Sequence, residues 1–324
     1  MEQNKENIPT VNLPALPASW EAVTGDQLIE INRLRRISKS EQEYRFRVFC
    51  FLEQIVLEKK VRYAADGNEL FFFTQVDAGG NRTGDMFPMQ AWTIHEAVTE
   101  YLPWLFSPCN RLSDIVPYIT IGERKYASTG HAMARMTYQQ HQYASRYFNE
   151  IQRLEASVVN CVINDGSDEQ LKVFTDKITH MRHLFMATVF TPECRVGSKT
   201  VDGKVVVYEM PQTDYVFSSE QVEKEYPNFA KVKDELIDAV MQLFNGVMMH
   251  YQKIYPLLFK EGSTGSTDMI KVEESTLNAL QSELKFANYQ TIYDSNAPFI
   301  LGKLNAIMLK AEEIERMHEK MKHR

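Results

Sequence analysis

Apolar positions along this chain recur mainly at helical spacing. Leu28, Ile31, Leu34 and Ile37 form one stripe, and Tyr44, Val48, Phe51, Leu52 and Ile55 form a second, the spacing of amphipathic helices. Just ahead of the first stripe, Thr24-Gly-Asp-Gln27 has the form of a capping box. There the threonine hydroxyl accepts from the Gln27 N–H and the glutamine side chain reaches back to the threonine amide. Val23 and Leu28 flank it at hydrophobic-staple spacing. The signal recurs at Thr137-Tyr-Gln-Gln140, with Met136 in the place of Val23, at an offset of 113 residues. Each helical region leads into a stretch that reads as a hairpin: VRYAADGNELFFFTQV around Asp66-Gly67-Asn68, and CRVGSKTVDGKVVVYEM around Asp202-Gly203. Helical patterns resume near residues 90–101 and 219–255. The pattern predicts a mainly α protein with small β-hairpins (α+β). Either a helix–hairpin–helix unit occurs twice in degenerate form, or two capping boxes coincide by chance.

Towards the C-terminus, Ser218-Ser-Glu-Gln221 opens a further helical region, which Pro227 is expected to interrupt and restart. KEGSTGSTD at 260–268 has linker composition. Leu277, Leu280, Leu284 and Ala287 define one amphipathic helix, and Asn296-Ala-Pro298 opens a last one. In that final helix Leu304, Ile307 or Met308, Ala311, Ile314 and Met321 approximate a heptad seam among lysines and glutamates. Packing onto its own domain is the first reading of that seam and an intermolecular coiled coil the second. The expected organisation is an extended, proline-containing arm (1–18), a helix–hairpin–helix domain (19–130), a second such domain (131–259), the linker (260–268) and a C-terminal helical module (269–324).

A hydrophobic content of 44% with 24% charged residues fits a soluble globular protein. The net charge of −7 argues against general nucleic-acid binding, which depends on neutralising phosphates. Arg33, Arg35, Arg36 and Lys39 read as a solvated helix face. Cys50, Cys109, Cys161 and Cys194 have no C-x-x-C spacing. They read as reduced thiols, with Cys50 and Cys161 in apolar helical contexts. The N-terminus lacks a signal-peptide apolar core, and the most apolar region, 241–259, is broken by Asn245, His250, Gln252, Lys253 and Pro256. A cytoplasmic protein, without membrane partners, is expected.

Few residues invite a chemical reading. His180-Met-Arg-His183 places two histidines one helical turn apart, with Asp176 four residues earlier. That set could seat a metal, although H-E-x-x-H is absent. His131 and His141 flank the second capping box with no recognisable nucleophile nearby. Cys194 lies beside Arg195, which would lower a thiol pKa. The run 79–84 is glycine-rich but lies between strand-like segments, so it reads as a hairpin loop and not a phosphate cradle. Phe71-Phe72-Phe73 reads as core packing more than as a base-stacking platform.

Three segments carry a family resemblance. Leu16, Pro17, Ser19, Trp20, Glu21, Val23, Thr24 and Gln27 form L-P-x-S-W-E-x-V-T-x-x-Q, which resembles the start of accessory proteins of tailed phages and prophages. Met136-Thr137-Tyr138-Gln139-Gln140-His141 is similar to an M-T-[FY]-x-x-[FY] motif midway through such proteins, departing from it at His141. YDSNAPFILGKLNAIMLKAEE is similar to their closing segment. The resemblance covers about a fifth of the chain and includes no catalytic signature. It implies a virion structural or morphogenesis protein of the tail or neck, with no enzymatic activity and no cofactor. Its partners would be virion proteins met in the host cytoplasm and in the particle, and self-association stays open. The arm would be a docking tether with Trp20 as the aromatic anchor locking it onto the first helical module, unless Trp20 simply caps its own helix bundle; Leu16, Trp20, Ile307 and Ile314 would contact partners. The alternative is a metal-dependent hydrolase or nuclease centred on His180 and His183.

Overall fold

A computed structural model describes residues 16–62, 69–77, 79–201, 204–211, 217–259, 274–286 and 288–322, with 193–201 and 204–211 given as backbone paths. The protein is mainly α with small antiparallel β elements, and the chain divides into two compact units, Met1–Cys109 and Asn110–Arg324.

In the first unit a 3-10 turn at Trp20–Ala22 precedes α1 (Gly25–Ile37), and both bonds of the Thr24–Gln27 capping box form. Leu28, Ile31 and Leu34 are buried, whereas Ile37 faces solvent. Helix α2 (Glu41–Leu52) is capped by the Ser40 hydroxyl. Its inner face uses Tyr44, Val48, Phe49 and Leu52. Phe49, not Phe51, completes that face, and Phe51 is half-buried. Gln54, at a φ of 55°, ends α2, so Ile55 opens a strand and does not continue the helical stripe. Strands β1 (Ile55–Arg62), β2 (Glu69–Val76) and β3 (Arg82–Gln90) pair antiparallel in that order. Alternation sends Phe71 and Phe73 to the face covered by Phe46 of α2. Phe72 lies on the other face, with the Lys59 ammonium 4.6 Å from its ring centre. The triplet is therefore core and rim of a sheet. The glycine-rich run is the β2–β3 loop, where Asp77 Oδ1 accepts from the N–H groups of Gly79 and Asn81 at 2.9 and 2.8 Å. A strand follows it, so no helix N-terminus is available for phosphate. Helix α3 (Ala91–Glu100) closes the unit.

The second unit begins earlier than the spacing predicts. Strands β4 (Tyr118–Ile121) and β5 (Arg124–Ala127), which the hydrophobic pattern does not announce, pair through β5 with β6 (Thr191–Val201), which continues to β7 (Lys204–Pro211). That pairing draws residues 110–130 into the second unit. Helix α4 (Tyr138–Ile163) opens on the second complete capping box and α5 (Asp168–Val189) on a third, Ser167–Gln170. Between them Asp165 takes a φ of 51°, and the N–H of Gly166 bonds the carbonyl of Cys161 at 2.7 Å, a Schellman closure. Helix α6 (Ser219–Phe229) passes through Pro227 and stops two residues later. In the last turn a proline removes a single backbone bond, so the expected restart moves to α7 (Asp234–Ile254). Helices α4 and α7 pack antiparallel through Phe148 and Phe244, Ser145 and Met248, and His141 and Tyr251. Phe185 of α5 completes an aromatic cluster with Phe148 and Phe244. Among the described residues no helix is long and apolar enough to cross a membrane.

Helices α8 (Glu274–Leu284), α9 (Tyr289–Asp294) and α10 (Ala297–Lys322) complete the unit. They do not stand apart as a separate module. The Tyr138 N–H donates to Ser295 O and the Ala297 N–H to Met136 O, both at 2.8 Å, making an antiparallel bridge between Thr137 and Asn296. The Asn296 amide also donates to Ala134 O. The chain end is thus fastened to the start of α4. The turns 66–68 and 202–203, the linker 260–268 and most of the arm lie outside the described residues. The order is α1-α2-β1-β2-β3-α3 in the first unit and α4-α5-β6-β7-α6 in the second: both run capped helix, helix, antiparallel strands, helix, but with three strands in the first and two in the second, and the second pair of helices is about twice as long as the first.

Candidate interaction surfaces

Trp20 is only 3% exposed. Its ring stands edge-on to Trp104 with centroids 4.7 Å apart, and its indole N–H donates to Ser107 O at 3.0 Å. The indole therefore fixes the start of the described chain to the Pro103–Phe106 turn of its own unit, and leaves almost no surface for a partner. Leu16 is half-buried. Aromatic surface does occur in this unit, but elsewhere: Trp92, Tyr101 and Phe106 are exposed.

Helix α10 has two regimes. From Ala297 to Asn305 it is part of the core, with Ile300, Leu301 and Leu304 buried. Tyr255 OH donates to Pro298 O at 3.2 Å, and the Leu257 N–H to Asn305 Oδ1 at 3.3 Å. Ile307 and Met308 are half-buried, and every residue from 309 to 322 is exposed. That free segment holds Leu309 at 48%, Ile314 at 51%, Met317 at 49% and Met321 at 63% exposure. The expected packing of the seam onto its own domain holds for the first third of the helix and ends there.

A second apolar surface lies at the α4–α5 turn, where Val159, Val162, Ile163 and Val173 are exposed. Val159, Val162 and Ile163 continue the α4 face that is buried at Ala144, Phe148 and Ile151, beyond the last buried residue of that helix, Leu154.

The histidine pair is used in packing. His180 stands edge-on to Tyr226 of α6 at 4.8 Å. Burial lowers the pKa of His183, against an opposing pull from Asp234 of α7. Between them Arg182 bonds Asp238 at 2.5 Å. Asp176 is exposed. Among the described residues, no three His, Cys, Asp or Glu side chains gather closely enough to hold a metal ion. The Cys194 side chain lies outside the described residues. His131 is exposed.

The most concentrated buried polar chemistry is structural. Glu225 of α6 accepts from Tyr126 OH at 2.7 Å, Gln221 Nε2 at 2.8 Å, Asn228 Nδ2 at 3.0 Å and the Arg124 guanidinium. Burial pushes this carboxyl up, but the Tyr126 and Arg124 bonds outweigh it and hold it below its usual range. Every donor around it is satisfied, so the cluster ties β5 to α6. His141 is the opposite case: it is fully buried, beside Tyr251, with both ring nitrogens unpartnered. Comparison with protein-family models, with curated proteins and with solved structures gives no match.

Proposed function

We propose that this chain is a non-enzymatic interaction protein and, on the strength of the three resembling segments, a structural or assembly component of a tailed-phage particle at the tail or neck. The observation that carries the interaction reading is the free segment of α10. About 21 Å of helix, at 1.5 Å per residue over 309–322, stands in solvent with four large apolar side chains exposed. An isolated helix of that length is marginal in water and gains most of its stability from packing, and clustered apolar exposure marks contact surfaces. Two of the three resembling segments support the phage reading by meeting in space, since Met136-Thr137-Tyr138 pairs with Ser295-Asn296-Ala297. The hydrolase alternative rests on the spacing of His180 and His183, whose rings lie between helices.

The test is an affinity pull-down of the tagged full chain from its native background, beside a chain ending at residue 305. Virion proteins recovered in fixed ratio by the full chain, and lost with the truncation, support the proposal. Recovery of no virion protein, or equal recovery by both, overturns it.

A further inference from the structure

The apolar seam that enters the core through Ala297, Ile300 and Leu304 continues at heptad spacing along the free half of α10 through Ile307, Ala311, Ile314 and Met321. With Leu304 as a, the seam reads Ile307 d, Ala311 a, Ile314 d, His318 a and Met321 d, and Met317 at g widens it. Charges keep to the flanks and back: Glu312 and Arg316 pair on the outer face at 3.3 Å. The single polar a residue, His318, fixes register and strand number, and sets a two-stranded seam against the d-position isoleucines, which alone would draw in further strands.

We infer that residues 307–322 form a parallel, in-register two-stranded coiled coil with a second copy of this chain. This rests on the interaction reading above and names its partner. The choice of a second copy follows from the rim. In a parallel pair the g residue of one heptad faces e of the next on the other strand. Lys310 then meets Glu315 of the second copy, and two-fold symmetry makes the contact twice. In the antiparallel pair that aligns the same layers the e flanks face each other, and Glu315 meets Glu315 of the second copy. The five layers are few, so the association is a concentration-dependent equilibrium, and the two bodies lie side by side at the N-terminal end of the coil.

The experiment is sedimentation velocity of the full chain over a concentration series, with far-UV circular dichroism as the folding control. The wild type moves from monomer to dimer as concentration rises. Ile314→Asp, at a side chain exposed in the single chain, stays monomeric with unchanged helix content. Lys310→Glu and Glu315→Lys each weaken dimerisation about tenfold by turning two attractions into two repulsions, and the double exchange restores it. Mild oxidation of Met321→Cys gives a cross-linked dimer. A monomer at every concentration, a dimer that survives Ile314→Asp, or a double exchange that fails to recover overturns the inference. A monomer that still captures virion proteins through 306–322 sinks this inference and leaves the proposed function standing. A dimer that captures none does the reverse.

Discussion

His141 gives the sharpest test of how the second unit is held together. It occupies the place in the second capping box that Leu28 occupies in the first, and both are fully buried. Burial lowers the His141 pKa from 6.5 to about 4, and its seat in the first turn of α4 opposes a positive charge in the same sense. The unfolded chain takes up a proton below pH 6.5 that the folded chain refuses until about pH 4. The stability carried by the neutral ring is therefore whole above pH 6.5 and drains away as pH falls. At about 1.4 kcal/mol per pH unit, the loss reaches about 2 kcal/mol between pH 7 and pH 5. His141→Leu removes this slope, and relieves two unpartnered ring nitrogens whose burial costs about 1–3 kcal/mol. Urea denaturation followed by circular dichroism at 222 nm, at pH 7 and pH 5, measures both effects. Trp20, Trp92 and Trp104 all belong to the first unit, so tryptophan fluorescence from the same samples reports that unit separately, and at each pH His141→Leu should leave it unchanged from wild type. If wild type and variant lose the same stability between the two pH values, the buried neutral imidazole is not the cause and the reasoning fails.

Trp20→Ala should destabilise the first unit by about 3–5 kcal/mol, the usual cost of emptying a buried aromatic site, seen as a lower urea midpoint in tryptophan fluorescence. A deletion of residues 1–15, which spares the indole, should leave that midpoint unchanged. Glu53 is buried with Oε2 unpartnered, and burial raises its pKa to about 7. For an acid raised in this way, stability falls as pH climbs from 4.5 towards 7, by about 3 kcal/mol in total. Glu53→Gln should flatten that limb when tryptophan-detected unfolding is compared at pH 5 and pH 8. A chain ending at residue 305 should melt like the full chain by circular dichroism. One ending at residue 294 should lose the second unit's cooperative transition, because it lacks buried Ile300, Leu301 and Leu304 and the bridge to α4.

Local signals in the sequence were read well where the physics is local. Both Thr–Gln capping boxes form, since a cap is decided within four residues, and the α10 start at Asn296-Ala-Pro298 is equally short-range. Strands β4 and β5 were not legible because each is only four residues long, and the sheet they start is extended by a partner some seventy residues later in β6. The same distance effect moved the boundary of the first unit from 130 to 109. Among the candidate contact residues, Ile314 is exposed, Ile307 and Leu16 are half-buried, and Trp20 is internal. Its neighbours Trp104 and Ser107 lie over eighty residues away, beyond any window in which its burial could be read.

The bridge between Thr137 and Asn296 also orders events in time. The first unit has all its residues once Cys109 has been made, but the start of α4 cannot be covered until the chain has grown by roughly 160 residues beyond Tyr138, about 8–32 s of synthesis. Over that interval Met136 and Tyr138, buried in the finished fold, have no cover from the chain end. A nascent chain stalled inside that window would present this apolar turn to the cytosol, so ribosome-bound intermediates ending before residue 295 are where chaperone dependence should concentrate. A protein whose last helices close its own middle becomes sticky when truncated, and the cell meets that hazard during every round of translation.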